Sequence, residues 1–152
     1  MASYKYIYEY DNDKGFSKCT IIDKKGNQFV GTAQCHPDDE DMKSSFTGQT
    51  IAEYRANRET LRHMRDCEII PELHALNELY GTMKHSRRFN PISYENIMLQ
   101  RLIRQKENEL TEVRCLIAAQ TKLIKDFITS KEKCYQGVRR HRAEAAHEQG
   151  QN

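Results

Sequence analysis

Apolar and polar positions alternate at the start of the chain and later give way to a helical rhythm. In YKYIYEY, Tyr4, Tyr6, Tyr8 and Tyr10 fall on one side and Lys5, Ile7 and Glu9 on the other, a period of two that predicts a strand. FSKCTII (16–22) and QFVGTAQ (28–34) are two further runs, set off by the Asp/Asn/Gly-rich segments DNDKG (11–15) and DKKGN (23–27). Such segments read as turns, so residues 1–35 are expected to form a three-stranded antiparallel meander. Gly31 inside the third run predicts a bulge or a close approach of another backbone. A sheet this small is not stable alone, so one face must be covered.

The rhythm then lengthens. In CHPDDED, Pro37 followed by four acids suits the first turn of a short helix, because proline fits the first helical position and acids fit the positive dipole end; residues 36–48 are read as that helix and a turn. A first long helix is expected over 49–84, with Thr50 and Glu53 in capping-box spacing. Its apolar positions are Ile51, Tyr54, Leu61, Met64, Ile69, Leu73, Leu76, Tyr80 and Met83, the last five on a 4–3 schedule. Pro71 predicts a kink or a short interruption near 68–71. After a basic turn (85–93), Ser93 is placed to cap a second helix over 94–133. That helix carries Leu99, Ile103, Leu110, Val113, Ile117, Ile124 and Phe127, with polar Lys106 and Gln120 at two seam positions. The tail, 141–152, is polar and lacks a seam, and is expected to be a frayed helix or disordered.

These elements predict an α+β fold over residues 1–140: a small N-terminal three-stranded antiparallel β-meander packed on a long antiparallel α-helical hairpin. The second seam outlasts the first, and the surplus apolar surface predicts a homo-oligomer.

Composition narrows the function. The 152 residues hold 24 Lys and Arg against 22 Asp and Glu, a net charge of +2, which argues against wholesale contact with a phosphate backbone. With a mean hydropathy of −0.87, no run approaches the roughly 18 apolar residues of a membrane span, and MASYKYIYEYD has no secretory pattern. The five cysteines, Cys19, Cys35, Cys67, Cys115 and Cys134, lack C-x-x-C spacing, which suits reduced thiols in a cytoplasm. Cys35, His36 and the acids after them contain metal-binding atoms, but adjacent ligands rarely converge on one ion and no second cluster completes a set. No histidine has a placed nucleophile and no glycine-rich phosphate loop exists. The expectation is a non-enzyme that needs neither cofactor nor metal.

The connector KHSRRFNPISYEN (84–96) carries the candidate chemistry. Lys84, His85, Arg87 and Arg88 surround Phe89, and in a helical hairpin Arg101 and Arg104 come close to them. Guanidinium forks hold a diphosphate, an aromatic face stacks on a base, and Asn90 and Asn96 can read a base edge or a ribose hydroxyl. The plainer alternative is a basic turn that caps the first helix. Arg55, Arg58, Arg62 and Arg65 line one helix face, where pairing with Glu59 and Asp66 in a solvated stripe is the default.

FVGTAQCHPDDEDMKSSFTGQTIAEYRANRETLRHMRD (29–66), with its F-V-G-T-A-x-C-H-P-D-D string and I-A-E-x-R-A helix start, and the later R-R-F-N-P-I-S-Y, resemble phage-encoded Thoeris anti-defence proteins of the first type. The resemblance covers roughly residues 4–130. It implies a sponge that binds a cyclic ADP-ribose isomer without cleaving it, so that the bacterial Thoeris effector stays inactive, in the cytoplasm of the infected bacterium. It further implies a homo-oligomer, a dimer or a hexamer, with pockets at the dimer interface and separate sites for cyclic oligonucleotides. The implied contacts are an aromatic, an asparagine and several arginines. Phe89 matches the aromatic, and Asn96, Arg65, Arg104 and Arg114 are of the right type; Asn90, Arg88 and Arg101 complete the candidate set. Two other readings stay open. One is a helical protein–protein interaction module. The other is a small nucleic-acid binder using Lys84, Arg87, Arg88 and the Arg139, Arg140 and Arg142 cluster.

Overall fold

A computed structural model of the protein describes residues 4–36 and 43–149. Strands β1 (Lys5–Asp11), β2 (Phe16–Ile22) and β3 (Gln28–Gln34) form one antiparallel sheet in the order β1-β2-β3. Helix α1 (Ser45–His63) runs into a π-helical turn (Met64–Ile69), which continues as α2 (Ile70–Lys84); α3 spans Tyr94–Gln149. The class is α+β. The chain forms two compact units, Met1–Glu59 with Gln120–Asn152, and Thr60–Ala119.

In the first unit, register explains the core. Tyr8 opposes Cys19, which opposes Gly31; Tyr6, Ile21 and Phe29 form the next row, and Tyr10, Ser17 and Ala33 the row beyond. Alternation puts all nine on one sheet face. There Cys19, Ile21, Phe29 and Ala33 are buried with Ala52 and Ala56 of α1. Gly31 is a close approach rather than a bulge: the ladder is continuous, and a Cβ at Gly31 would collide with the backbone of Ala52 and Ala56. The tyrosines reach the same helix, Tyr8 Oη donating to Glu53 Oε2 at 2.9 Å and Tyr6 Oη to Asn57 Oδ1 at 3.4 Å. Burial, with the Glu53 hydrogen bond second, pushes the Tyr8 hydroxyl up to about 12. Burial likewise pushes the Cys19 thiol up to about 11. The turn between β2 and β3 is held by Asp23, whose carboxylate accepts from the Lys25 and Asn27 backbone N–H groups and from Asn27 Nδ2. From α3, Phe127 meets Tyr54 edge to face at 6.1 Å.

In the second unit, Ile69, Leu110 and Val113 are buried, with Leu61, Met64, Leu73 and Ile117 packed on them. Polar seam residue Lys106 finds two acids, Glu72 at 2.7 Å and Glu109 at 2.8 Å. These bonds, Glu109 first, raise its ammonium above the ordinary lysine value.

Several boundaries differ from expectation. The first long helix begins at Ser45, so residues 46–48 are helical instead of a break. Its cap is Ser44, whose Oγ accepts from the Thr47 N–H at 3.3 Å, while Thr50 lies inside the helix and donates back to the Phe46 carbonyl. Near Pro71 the helix widens into a π-turn, in which the Ile70 N–H reaches the Arg65 carbonyl, and then resumes. The second helix continues through residue 133 to Gln149, so 141–149 is helical. That segment, HRAEAAHEQ, is rich in Ala and Glu, good helix formers that need no apolar seam to extend an existing helix. The short helix expected at Pro37 falls on residues 37–42, outside the described residues.

Candidate functional site

The connector between α2 and α3 is fixed by its own hydrogen bonds. His85 closes α2, its N–H bonding the Gly81 carbonyl and its Nδ1 lying 2.7 Å from the same oxygen. The capping role therefore belongs to His85. Beyond it, the Phe89 N–H donates to the Ser86 carbonyl, and the Ile92 N–H donates to Asn90 Oδ1 at 3.1 Å. Ser93 caps α3 as its position predicts, its Oγ accepting from the Asn96 N–H at 3.3 Å. These local bonds replace the backbone pairing that the turn forgoes.

The connector borders an open cavity of about 360 Å³, lined by Met83, Ser86, Arg88, Phe89, Asn90, Ser93, Glu95 and Asn96. Of the eight candidate residues, Arg88, Phe89, Asn90 and Asn96 line it together. Arg65, Arg101, Arg104 and Arg114 are not lining residues. Phe89 is half-buried and stands edge to face with Tyr80, centroids 6.1 Å apart, while Gln100 Nε2 donates to the Tyr80 hydroxyl at 3.2 Å. The ring thus rests on Tyr80 of α2, whose hydroxyl is in turn held by Gln100 of α3. Asn96 is 4% exposed. Its Nδ2 donates to the Asn90 carbonyl at 2.5 Å, and its Oδ1 is buried with no partner among the described residues.

Arg65 is already engaged. Its Nε and Nη2 clasp both oxygens of Asp66 at 2.7 and 2.9 Å, and that clasp holds the Asp66 carboxyl below the usual carboxylate range. Arg55 donates Nη1 to the Thr32 carbonyl at 2.5 Å, and Arg58 Nε lies 3.9 Å from Glu59. Arg101, Arg104 and Arg114 are exposed on α3, the first two one helical turn apart.

Sequence reasoning missed Met83, Ser86, Ser93 and Glu95 as cavity walls. Met83 was visible as the last seam residue of the first helix and Ser93 as a cap, but no pattern marks Ser86 or Glu95. It missed a second cavity altogether, about 270 Å³ in the first unit, where Tyr10, Tyr135, Ile51 and Ile128 supply apolar walls beside Arg55 and Lys131. Lys131 Nζ lies 5.5 Å from the centroid of the Phe127 ring. Among the described residues, no three His, Cys, Asp or Glu side chains group as metal ligands, and no helix is long and apolar enough to cross a membrane. No family model matches the chain, and neither a curated protein nor a solved structure matches it significantly.

Proposed function

We propose that the protein binds a cyclic ADP-ribose-type nucleotide and withholds it without cleaving it, so that a bacterial Thoeris effector is never activated. The observation that carries this reading is the connector cavity, which brings the Phe89 ring, the Asn90 and Asn96 amides and Arg88 together. An aromatic face and a hydrogen-bonding edge are what a nucleobase needs. Arg101 and Arg104, one turn apart on exposed α3, supply guanidinium forks for a diphosphate. In this reading α2 and α3 form an antiparallel hairpin, and two chains associate along α3, bringing further arginines to the ligand. Leu102, Leu116 and Leu123, exposed at 45%, 51% and 42%, provide the apolar stripe for that association. Sequestration asks for affinity rather than turnover, which fits a site built from amides, an aromatic and arginines.

Calorimetry of the purified protein with base-linked and glycosidically linked cyclic ADP-ribose tests the reading. Tight binding is expected, with the ligand recovered unchanged after heat denaturation. Steady conversion on prolonged incubation would overturn the sponge. Phe89→Ala is expected to weaken binding about ten- to a hundredfold, from stacking worth about 1–3 kcal/mol, with helix content and particle mass unchanged. Arg104→Ala should cost a similar factor and flatten the salt dependence.

A second reading is supported by one observation. Ile92 and Tyr94, 78% and 74% exposed on a hydrogen-bonded connector, resemble the anchors of a protein-docking surface. For a docking module, neither Phe89→Ala nor Arg104→Ala would change nucleotide affinity.

A further inference from the structure

We infer that the cavity of the first unit binds a small aromatic monocarboxylate, with its ring against Tyr10 and Tyr135 and its carboxylate on Arg55 and Lys131. The site is separate from the connector and does not depend on the nucleotide reading. Its walls follow from helical spacing. Thr47, Ile51 and Arg55 share one stripe of α1, and Ile128, Lys131 and Tyr135 share one stripe of α3, at steps of three or four. The sheet supplies the third wall, where Tyr10 and Ala33 stand in one row. Two tyrosines and two isoleucines thus make most of the lining apolar, and the charged groups are few enough to count.

Charge selects the ligand. Arg55 and Lys131 stand against a single lining acid, Glu132, so with His36 neutral one positive charge is left in excess. Arg55 gives Nη1 to the Thr32 carbonyl, which leaves most of its five N–H donors, and Lys131 lies over the Phe127 ring. Among the described residues no carboxylate pairs with either cation. Both side chains are half-buried, and an anion meets them in surroundings less screened than open water. The first turn of α1 lines the same cavity through Thr47 and Gly48 and carries no acid, so its positive dipole end acts in the same direction. A carboxylate matches the guanidinium fork and brings the one charge the lining lacks. Tyrosine walls favour a flat ring, offset or edge to face. At about 270 Å³ the cavity falls just below the usual range of ligand pockets, roughly 300–1,000 Å³, which suits one ring on a short acid arm.

NMR titration of the full chain with phenylacetate and with phenylacetamide tests this, since the probes share ring and arm and differ in charge. Phenylacetate is expected to bind at millimolar concentration or below, roughly tenfold or more tighter than the amide, through charge-assisted bonds. Lys131→Met keeps the apolar stem and removes the charge; it should cut that preference several-fold and leave the amide's affinity alone. Glu132→Gln, at an exposed position, removes the opposing charge and should tighten phenylacetate binding by about twofold to fivefold. Equal affinity of the two probes for the unaltered protein, or no binding of phenylacetate, would overturn the inference. So would a preference that neither substitution moves, because the carboxylate would then sit elsewhere. The two substitutions act in opposite directions, so a loss caused by misfolding cannot imitate the pattern. Phe89→Ala should leave phenylacetate affinity unchanged; a loss there would put the probe in the connector and overturn the inference as well.

Discussion

Gly31 shows how a single position can be read from sequence and still be only half understood. A glycine inside a strand pattern signals a bulge or a close approach; the partner that comes close, the Ala52 and Ala56 turn of α1, is 21 residues further on and carries no mark of it in the sequence. Gly31→Val should destabilise the fold by about 1–3 kcal/mol or more, because the new side chain meets helix backbone that cannot swing aside. Chemical denaturation checks this, and an unchanged midpoint would show that the helix does not pack there. Acid behaviour is also set by single residues. Asn27 chiefly holds the Asp23 carboxyl below its ordinary value of 3.8, as Arg65 does for Asp66, and Lys106 holds Glu109 below 4.5. As pH falls, the unfolded chain takes up protons at these groups first. Their contribution is therefore complete above about pH 5 and is lost on descending through 4 toward the folded-state values. Thermal melts should show that decline, and Asp23→Asn should lower the midpoint at pH 7 while making the decline shallower. An acid limb as steep as the parent's would contradict the assignment.

Strands and seams were legible because both depend on local period. The α3 seam holds as spaced: Leu99, Ile103, Leu110, Val113 and Ile124 are all buried. The π-turn was visible only as trouble near a proline, although its signature is in the spacing. Leu61, Met64, Ile69 and Leu73 belong to one cluster, with steps of 3, 5 and 4. An α-helix cannot take a step of five and keep its face, whereas one wide turn absorbs the extra residue. Pro71, which lacks an N–H and would crowd the carbonyl four residues back, favours the same solution. Removing Cys67 while changing Pro71→Ala should give a continuous α-helix with its seam intact and a thermal midpoint near the parent's. Removing Asn77 instead rotates everything after it by about 100°, and the midpoint should fall sharply. Equal effects of the two deletions would contradict this account.

How much of the candidate site was legible follows from the same division. Arg88, Phe89, Asn90 and Asn96 were found because they crowd one connector. The orphaned amide oxygen was not, since it depends on which way a side chain is turned. Whether chains associate is a question the exposed leucines of α3 raise most directly. Sedimentation at micromolar concentration should show a particle heavier than the 17.9 kDa chain, and Leu116→Glu should shift it toward that mass. A parent that sediments at 17.9 kDa would end the idea. The two compact units also differ in how the chain composes them. Thr60–Ala119 is one uninterrupted stretch, while its companion is assembled from Met1–Glu59 and the part of α3 from Gln120 onward. During synthesis the second-encoded unit is therefore the first that can be finished. Tyr54 waits for Phe127, and the sheet, though made earlier, keeps that flank of its helix open until this part of α3 has left the ribosome. At about 5–20 residues per second the wait lasts seconds, long enough for a chaperone to find it.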